Sequence, residues 1–197
     1  MKSDRRFTIK AVFVGAAAFL TLNLWSASAF AQATAPGPHV FKADPRAETR
    51  TYHMDDANID VPYWSFKSSK GSKNKPAPLI VSLHGFGAGP QIMCNTTAVD
   101  LAEQGGYILV APMGYSIAGW YGSPVIHMRA RPGAKGPAAA ASATPAGPSD
   151  QDIEKWSEED VMNVLAMMRK EFNIDQHRIY LTGHSMGGAG TYFLASK

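Results

Sequence analysis

Ile179-Tyr180-Leu181-Thr182-Gly183-His184-Ser185-Met186-Gly187-Gly188, near the end of the 197-residue chain, decides how the rest is read. A short β-branched and aromatic run leads into G-x-S-x-G, and residues 188–196 that follow read as helix. A turn sharp enough to lift a serine hydroxyl clear of a sheet edge strains the serine's backbone. It also leaves no room for side chains two positions either side, which is the physical reason for Gly183 and Gly187. The helix after it aims free N–H groups and its positive dipole end at the hydroxyl, where negative charge would develop in acyl transfer. Ser185 is therefore the candidate nucleophile. The bare pattern also occurs in glycine turns that only close a loop, so the strand before it and the helix after it carry the weight.

About a hundred residues upstream, Pro78-Leu79-Ile80-Val81-Ser82-Leu83 is a nearly continuous apolar run, the mark of a buried parallel strand, and it runs into His84-Gly85-Phe86-Gly87. A strand followed by H-G-x-G supplies one backbone N–H of an oxyanion hole, and the residue after the nucleophile supplies the other. The two donors expected here are Phe86 and Met186. Glycines on both sides of Phe86 let its backbone approach a bound carbonyl closely.

With these residues in place the chain resembles the α/β-hydrolase family, and within it the secreted serine esterases: feruloyl and acetylxylan esterases, polyhydroxyalkanoate depolymerases and prolyl-oligopeptidase-like hydrolases. The residues that carry the resemblance are Leu83–Gly87, Val110-Ala111-Pro112 and Asp175 with Arg178–Gly188. It spans roughly residues 49–197. It implies a three-layer α/β sandwich and cofactor-free hydrolysis of an acyl ester or amide, and it leaves the substrate open. In that family the triad order is serine, then Asp or Glu, then histidine, whereas the sequence given stops at Lys197, shortly after Ser185. The expectation is therefore an N-terminal fragment, truncated after the nucleophile elbow, with about five of the usual eight strands. A serine without its base keeps only oxyanion-hole and binding contributions, roughly 10³–10⁴ over water. Near-inactivity is expected of the chain as given.

All six histidines, His39, His53, His84, His127, His177 and His184, precede Ser185. His84 belongs to the oxyanion loop, His184 points away from the nucleophile in a normal elbow, and His177 lies at the far end of the strand. His39, His53 and His127 read as surface or loop residues, although His127 follows a loop near the active-site end.

Residues 1–31 read as a secretory leader. Lys2, Arg5, Arg6 and Lys10 precede an apolar stretch, Ala11–Leu24, and Ala29-Phe30-Ala31 is a small-x-small cleavage site. The apolar stretch is short for a membrane span, so a secreted or periplasmic protein with no stable span after cleavage is expected. The formal net charge of +3 resides wholly in the leader, because its four basic residues face only Asp4. Nothing favours a nucleic-acid partner. No Cys/His cluster has metal-ligand spacing and no phosphate-loop pattern occurs, so neither metal nor cofactor is expected. Cys94 is the single cysteine and reads as a buried or semi-buried thiol.

Residues 32–48 read as a flexible mature N-terminus, and 49–197 as the partial hydrolase domain. Within it, strands are expected at Thr49–His53, Val61–Lys67, Pro78–Leu83, Tyr107–Ala111 and Ile179–Thr182, and a helix at Asn95–Gln104 closed by Gly105-Gly106. Trp120 and Tyr121 in the aromatic-glycine loop 113–122 read as pocket lining rather than core. Residues 129–149 are an Ala/Pro/Gly-rich low-complexity insertion. Ser157-Glu158-Glu159-Asp160 reads as an N-cap with first-turn acids that launches a helix packed through Val161, Val164, Leu165, Met168 and Phe172.

The function that the resemblance implies is serine-nucleophile hydrolysis of an extracellular aryl, sugar or polymeric ester. Two readings stand beside it: a prolyl-oligopeptidase-like serine peptidase, and a non-catalytic secreted binding protein that keeps the half-sheet.

Overall fold

The computed structural model describes residues 42–71, 74–127 and 147–197. The leader, residues 32–41 of the N-terminal tail and most of the low-complexity insertion lie outside them. The described residues belong to one compact unit. It is a five-stranded mixed sheet in the order β1-β2-β4-β3-β5. The strands are β1 Glu48–Met54, β2 Ile59–Lys67, β3 Ala77–Leu83, β4 Ile108–Ala111 and β5 Ile174–Gly183. β1 and β2 form an antiparallel hairpin, β2 pairs β4 antiparallel, and β4, β3 and β5 run parallel.

Alternation along the central strands sends successive residues to opposite faces, which makes two cores. Leu79, Val81, Ile108 and Val110 face helix α2, Asp150–Glu171, through Val161, Val164 and Met168. Helix α3, Met186–Ala195, joins the same side through Met186. On the other face Phe66, Leu109 and Ala111 meet Val99 and Ala102 of helix α1, Thr96–Gly105. Helix, sheet and helices form the three layers of an α/β sandwich.

The α1 boundaries follow from capping. Asn95 accepts the Ala98 N–H at 3.1 Å, and Gly106 adopts the left-handed conformation, φ 74°, that ends the helix. Cys94, on the turn Pro90–Cys94 just before it, is wholly buried, and burial pushes its thiol up to about 12. At pH 8 a group so shifted holds only about one part in ten thousand as thiolate. Ellman's reagent is therefore expected to leave native Cys94 unmodified for hours and to titrate it fully in guanidinium chloride; reaction within minutes in buffer would mean that the α1 layer opens readily.

Two elements differ from the sequence expectation. Helix α2 begins at Ser149, not at Ser157: Ser149 and Asp152 form a reciprocal capping box, and Asp150 and Asp152 sit in the first turn. Ser157 lies mid-helix and fully buried, its hydroxyl donating to the Ile153 carbonyl one turn back. β5 starts five residues early. Ile174 pairs with Ala77 and Ile179 with Leu79, so the polar stretch Asp175–Arg178 bulges out between two paired segments. That stretch is held locally by Arg178 Nε on Asp175 at 2.7 Å, and such polar residues carry no strand period.

Candidate active site

Ser185 stands between the last residues of β5 and the first of α3, exposed, with φ 54° and ψ −114°. That conformation is strained for any residue with a Cβ, of order 1–3 kcal/mol. Close packing around the turn enforces it. A Cβ on Gly187 would meet the Leu83 carbonyl carbon at 2.6 Å and the His84 oxygen at 2.8 Å, and one on Gly183 would strike the Gly187 carbonyl. The His184 N–H donates to the Leu83 carbonyl at 3.0 Å, extending the β3–β5 ladder to the foot of the turn.

The H-G-F-G loop lies against this turn. A Cβ built on Gly85 would stand 3.5 Å from the Ser185 Cβ, an ordinary contact, and 2.9 Å from His184 Nδ1, so a larger residue here would have to displace the His184 ring. Gly87, at φ 73°, turns the loop back, and its N–H donates to the Ile117 carbonyl at 2.8 Å. Among the described residues the backbone N–H groups of Phe86 and Met186 make no hydrogen bond, and neither does the Ser185 hydroxyl. The three residues singled out from sequence thus sit on two adjoining loops, with their reactive groups unpaired. Of the described histidines, His184 adjoins Ser185 with its ring beside Gly85 and makes no hydrogen bond to the serine hydroxyl, and the others are engaged elsewhere. His53 pairs with Asp60 and His127 with Asp150, both at 2.9 Å on the surface, and His177 is exposed on the β5 bulge. His84 is wholly buried, with Nε2 2.8 Å from the Met113 oxygen and Nδ1 2.9 Å from the Gly85 oxygen. Burial draws its pKa down although both carbonyls favour the protonated ring.

Loop 113–122 carries the feature that sequence reasoning missed. Trp120 and Tyr121 are core residues, 8% and 0% exposed, not pocket lining. Tyr115, Trp120 and Tyr121 all have positive φ, as do Gly114 and Gly122. Strained residues this dense need a surrounding scaffold to hold them. The scaffold is α2. Asp160, fully buried, accepts the N–H groups of Gly114 at 2.6 Å and Tyr115 at 3.3 Å and the Tyr52 hydroxyl at 2.6 Å. Ser157 binds the other end of the loop: its one hydroxyl proton is shared between the Gly119 and Ile153 carbonyls, and its oxygen accepts the Gly122 N–H at 3.1 Å. The Trp120 indole N–H is buried without a partner among the described residues, its ring 6.3 Å from that of Phe86. The glycines at 114, 119 and 122 were the only local signal for this construction.

Parallel strands, the order β2-β4-β3-β5, an exposed strained serine after β5 and a glycine loop after β3 together match one known architecture. The structure superposes on an S-formylglutathione hydrolase of Agrobacterium tumefaciens with a TM-score of 0.53 at 16% identity, over 76% of this chain and 52% of that one. The chain has an α/β-hydrolase fold. A ferulic acid esterase of Anaeromyces mucronatus, matched over 72% of this chain and 49% of its own length, gives a TM-score of 0.45 at 18% identity. Among curated proteins, a bifunctional acetylxylan esterase/xylanase of Neocallimastix patriciarum is 30% identical over 123 residues, 61% of this chain and 14% of that protein. No family model matches. The chain thus spans about half the length of these two solved structures and 14% of the curated relative. Among the described residues no group of three His, Cys, Asp or Glu is placed to hold a metal ion.

Proposed function

We propose that this chain carries the nucleophile and the oxyanion hole of a carboxylic ester hydrolase. The observation that supports it most is the strained, exposed Ser185 with two unpaired backbone N–H groups, Phe86 and Met186, on adjoining segments. In this reading the Ser185 Oγ attacks the ester carbonyl, and the developing oxyanion is taken by the two N–H groups, which need no reorganisation to receive it. Collapse of the tetrahedral species breaks the bond to the leaving alcohol, which carries away the serine's proton, and water then hydrolyses the acyl-serine. No described histidine or carboxylate binds the Ser185 hydroxyl, so turnover by these residues alone is slow, resting on the oxyanion hole and binding.

The acetylxylan and ferulic acid esterases among the similar proteins favour an aryl, sugar or polymeric ester as substrate. Such a substrate is extracellular, in keeping with the leader read at residues 1–31. No helix among the described residues is long and apolar enough to cross a membrane.

The test is to treat the full chain with an alkyl fluorophosphonate, map the adduct by mass spectrometry, and compare p-nitrophenyl acetate with a peptide anilide. Expected are a single adduct on the Ser185 peptide, formed over hours, and ester turnover above the water rate. No adduct on folded protein would favour the non-catalytic binding reading, and faster anilide than ester cleavage the peptidase.

A further inference from the structure

The buried aromatic side chain at position 121 touches both halves of the site at once. The Tyr121 hydroxyl accepts the His84 backbone N–H at 2.9 Å and lies 3.3 Å from the His84 carbonyl, to which it can donate. His84 is the last residue before Gly85-Phe86-Gly87. The ring stands edge-on to the His84 imidazole, with centroids 5.6 Å apart. On its other side the ring and Cβ press on α3: a Cβ added to Gly190 would come within 2.6 Å of the Tyr121 Cβ. A third face meets the loop after β4, where a Cβ on Gly114 would lie 2.6 Å from Tyr121 Cδ1. One rigid side chain therefore spaces the helix that begins at Met186 from the loop that carries Phe86. Its backbone is left-handed, φ 54° and ψ 36°, a conformation that an aromatic residue adopts only when its neighbours impose it.

We propose that Tyr121 is a positioning residue for the oxyanion pair, its hydroxyl fixing the His84 peptide and its ring fixing α3, so that the Phe86 and Met186 N–H groups converge on one point. The proposal rests on the hydrolase reading above. A packing role alone would need the ring and would be indifferent to the hydroxyl. A positioning role needs both, since displacement of a preorganised donor by about 1 Å costs on the order of 10² in rate.

Tyr121→Phe removes only the oxygen. Phenylboronic acid, which forms a tetrahedral adduct on a serine Oγ and places a boronate oxygen where an oxyanion would sit, is the probe, read by ¹¹B NMR and titration calorimetry. The full chain is expected to bind it in a manner lost in Ser185→Ala. Tyr121→Phe is expected to weaken binding and lower kcat on p-nitrophenyl acetate by about 10–100-fold with KM unchanged. The comparison is Val99→Ala, a cavity in the opposite core, which is expected to lower the melting temperature without moving boronate affinity.

Equal boronate affinity in Tyr121→Phe and the unsubstituted chain would overturn the positioning role. If the unsubstituted chain shows no Ser185-dependent adduct, the hydrolase reading is what fails. Amide hydrogen exchange then decides the brace: faster exchange confined to residues 84–87 and 186 in Tyr121→Phe supports it, and unchanged exchange there overturns it.

Discussion

Asp160→Ala is expected to cost about 3–5 kcal/mol of unfolding free energy, measured by urea denaturation at pH 7. The carboxylate accepts from three donors on two distant segments, Tyr52 on β1 and the Gly114 and Tyr115 amides after β4. Each buried donor left without a partner costs roughly 1–3 kcal/mol, and the truncation adds a cavity inside α2's packed face. Relief from burying a carboxylate offsets part of this. The loss also falls on a loop with three non-glycine residues at positive φ, whose strain these hydrogen bonds hold in place. Asp160→Asn keeps one oxygen for the two amides and can donate its NH₂ to the Tyr52 oxygen, so it is expected to lose less than half as much. A loss below about 1 kcal/mol in Asp160→Ala would mean that the loop keeps its shape without the carboxylate.

The same pair of proteins gives a pH dependence whose sign is fixed. Burial raises the Asp160 pKa in the folded state, and the hydrogen bonds from Tyr52 and the loop amides offset it only in part. The folded protein therefore holds the proton more tightly than the unfolded chain, where the carboxyl titrates near 3.9. Relative to Asp160→Asn, which does not titrate, the unsubstituted chain gains stability as the pH falls through the raised folded value. The gain is complete below the unfolded value. Burial, with the neighbouring Asp160 charge, pushes the Tyr52 phenol well above its ordinary range, so Tyr52 stays a donor across this window.

Asp160 also shows why part of the site was legible in the sequence and part was not. The elbow and the H-G-F-G loop could be read because local backbone geometry favours glycine: a Cβ on Gly183 or Gly187 would strike backbone, and Gly87 has a positive φ. The strands β1 to β4 could be read because alternation or a continuous apolar run follows directly from which faces are buried. Ser157-x-x-Asp160 fails as a helix start for a reason of the same kind. Ser149-x-x-Asp152 has the same spacing eight residues earlier, and both fit a capping pattern. What separates them is tertiary: Ser157 and Asp160 turn inward to serve Gly119, Gly122, Gly114 and Tyr115. Their partners lie more than thirty residues away in sequence, and no local pattern encodes that. Trp120 and Tyr121 are misread for the same cause. A glycine-rich aromatic loop at the carboxyl end of a strand usually faces a ligand, but here the positive-φ turns fold both rings into the core.

Gly187→Ala tests the elbow through stability, and two effects oppose each other in it. Gly187 is the second residue of α3 and its φ is not positive, so helix propensity alone favours alanine by about 1 kcal/mol. Space favours glycine. The added methyl would meet the Leu83 carbonyl group, with the carbon at 2.6 Å, and the His84 oxygen at 2.8 Å. Those atoms belong to Leu83, the last residue of β3, which is paired with Gly183 of β5, and to His84 just after it, whose N–H is held by the Tyr121 hydroxyl, so they give little room. Overpacking against flexible side chains costs about 1–3 kcal/mol; against fixed backbone the net loss is expected at about 3 kcal/mol or more. The next residue supplies the contrast, since a Cβ on Gly188 finds only the Gly183 oxygen at 3.8 Å, an ordinary contact. Gly188→Ala is therefore expected to raise stability by up to about 1 kcal/mol. Adjacent glycines in one helix should respond with opposite signs in the same denaturation experiment. If Gly187→Ala unfolds at the same denaturant concentration as the unsubstituted chain, α3 can slide off β3 at no cost. The Phe86 and Met186 amides would then have no fixed separation, and the elbow could not serve as a preorganised site.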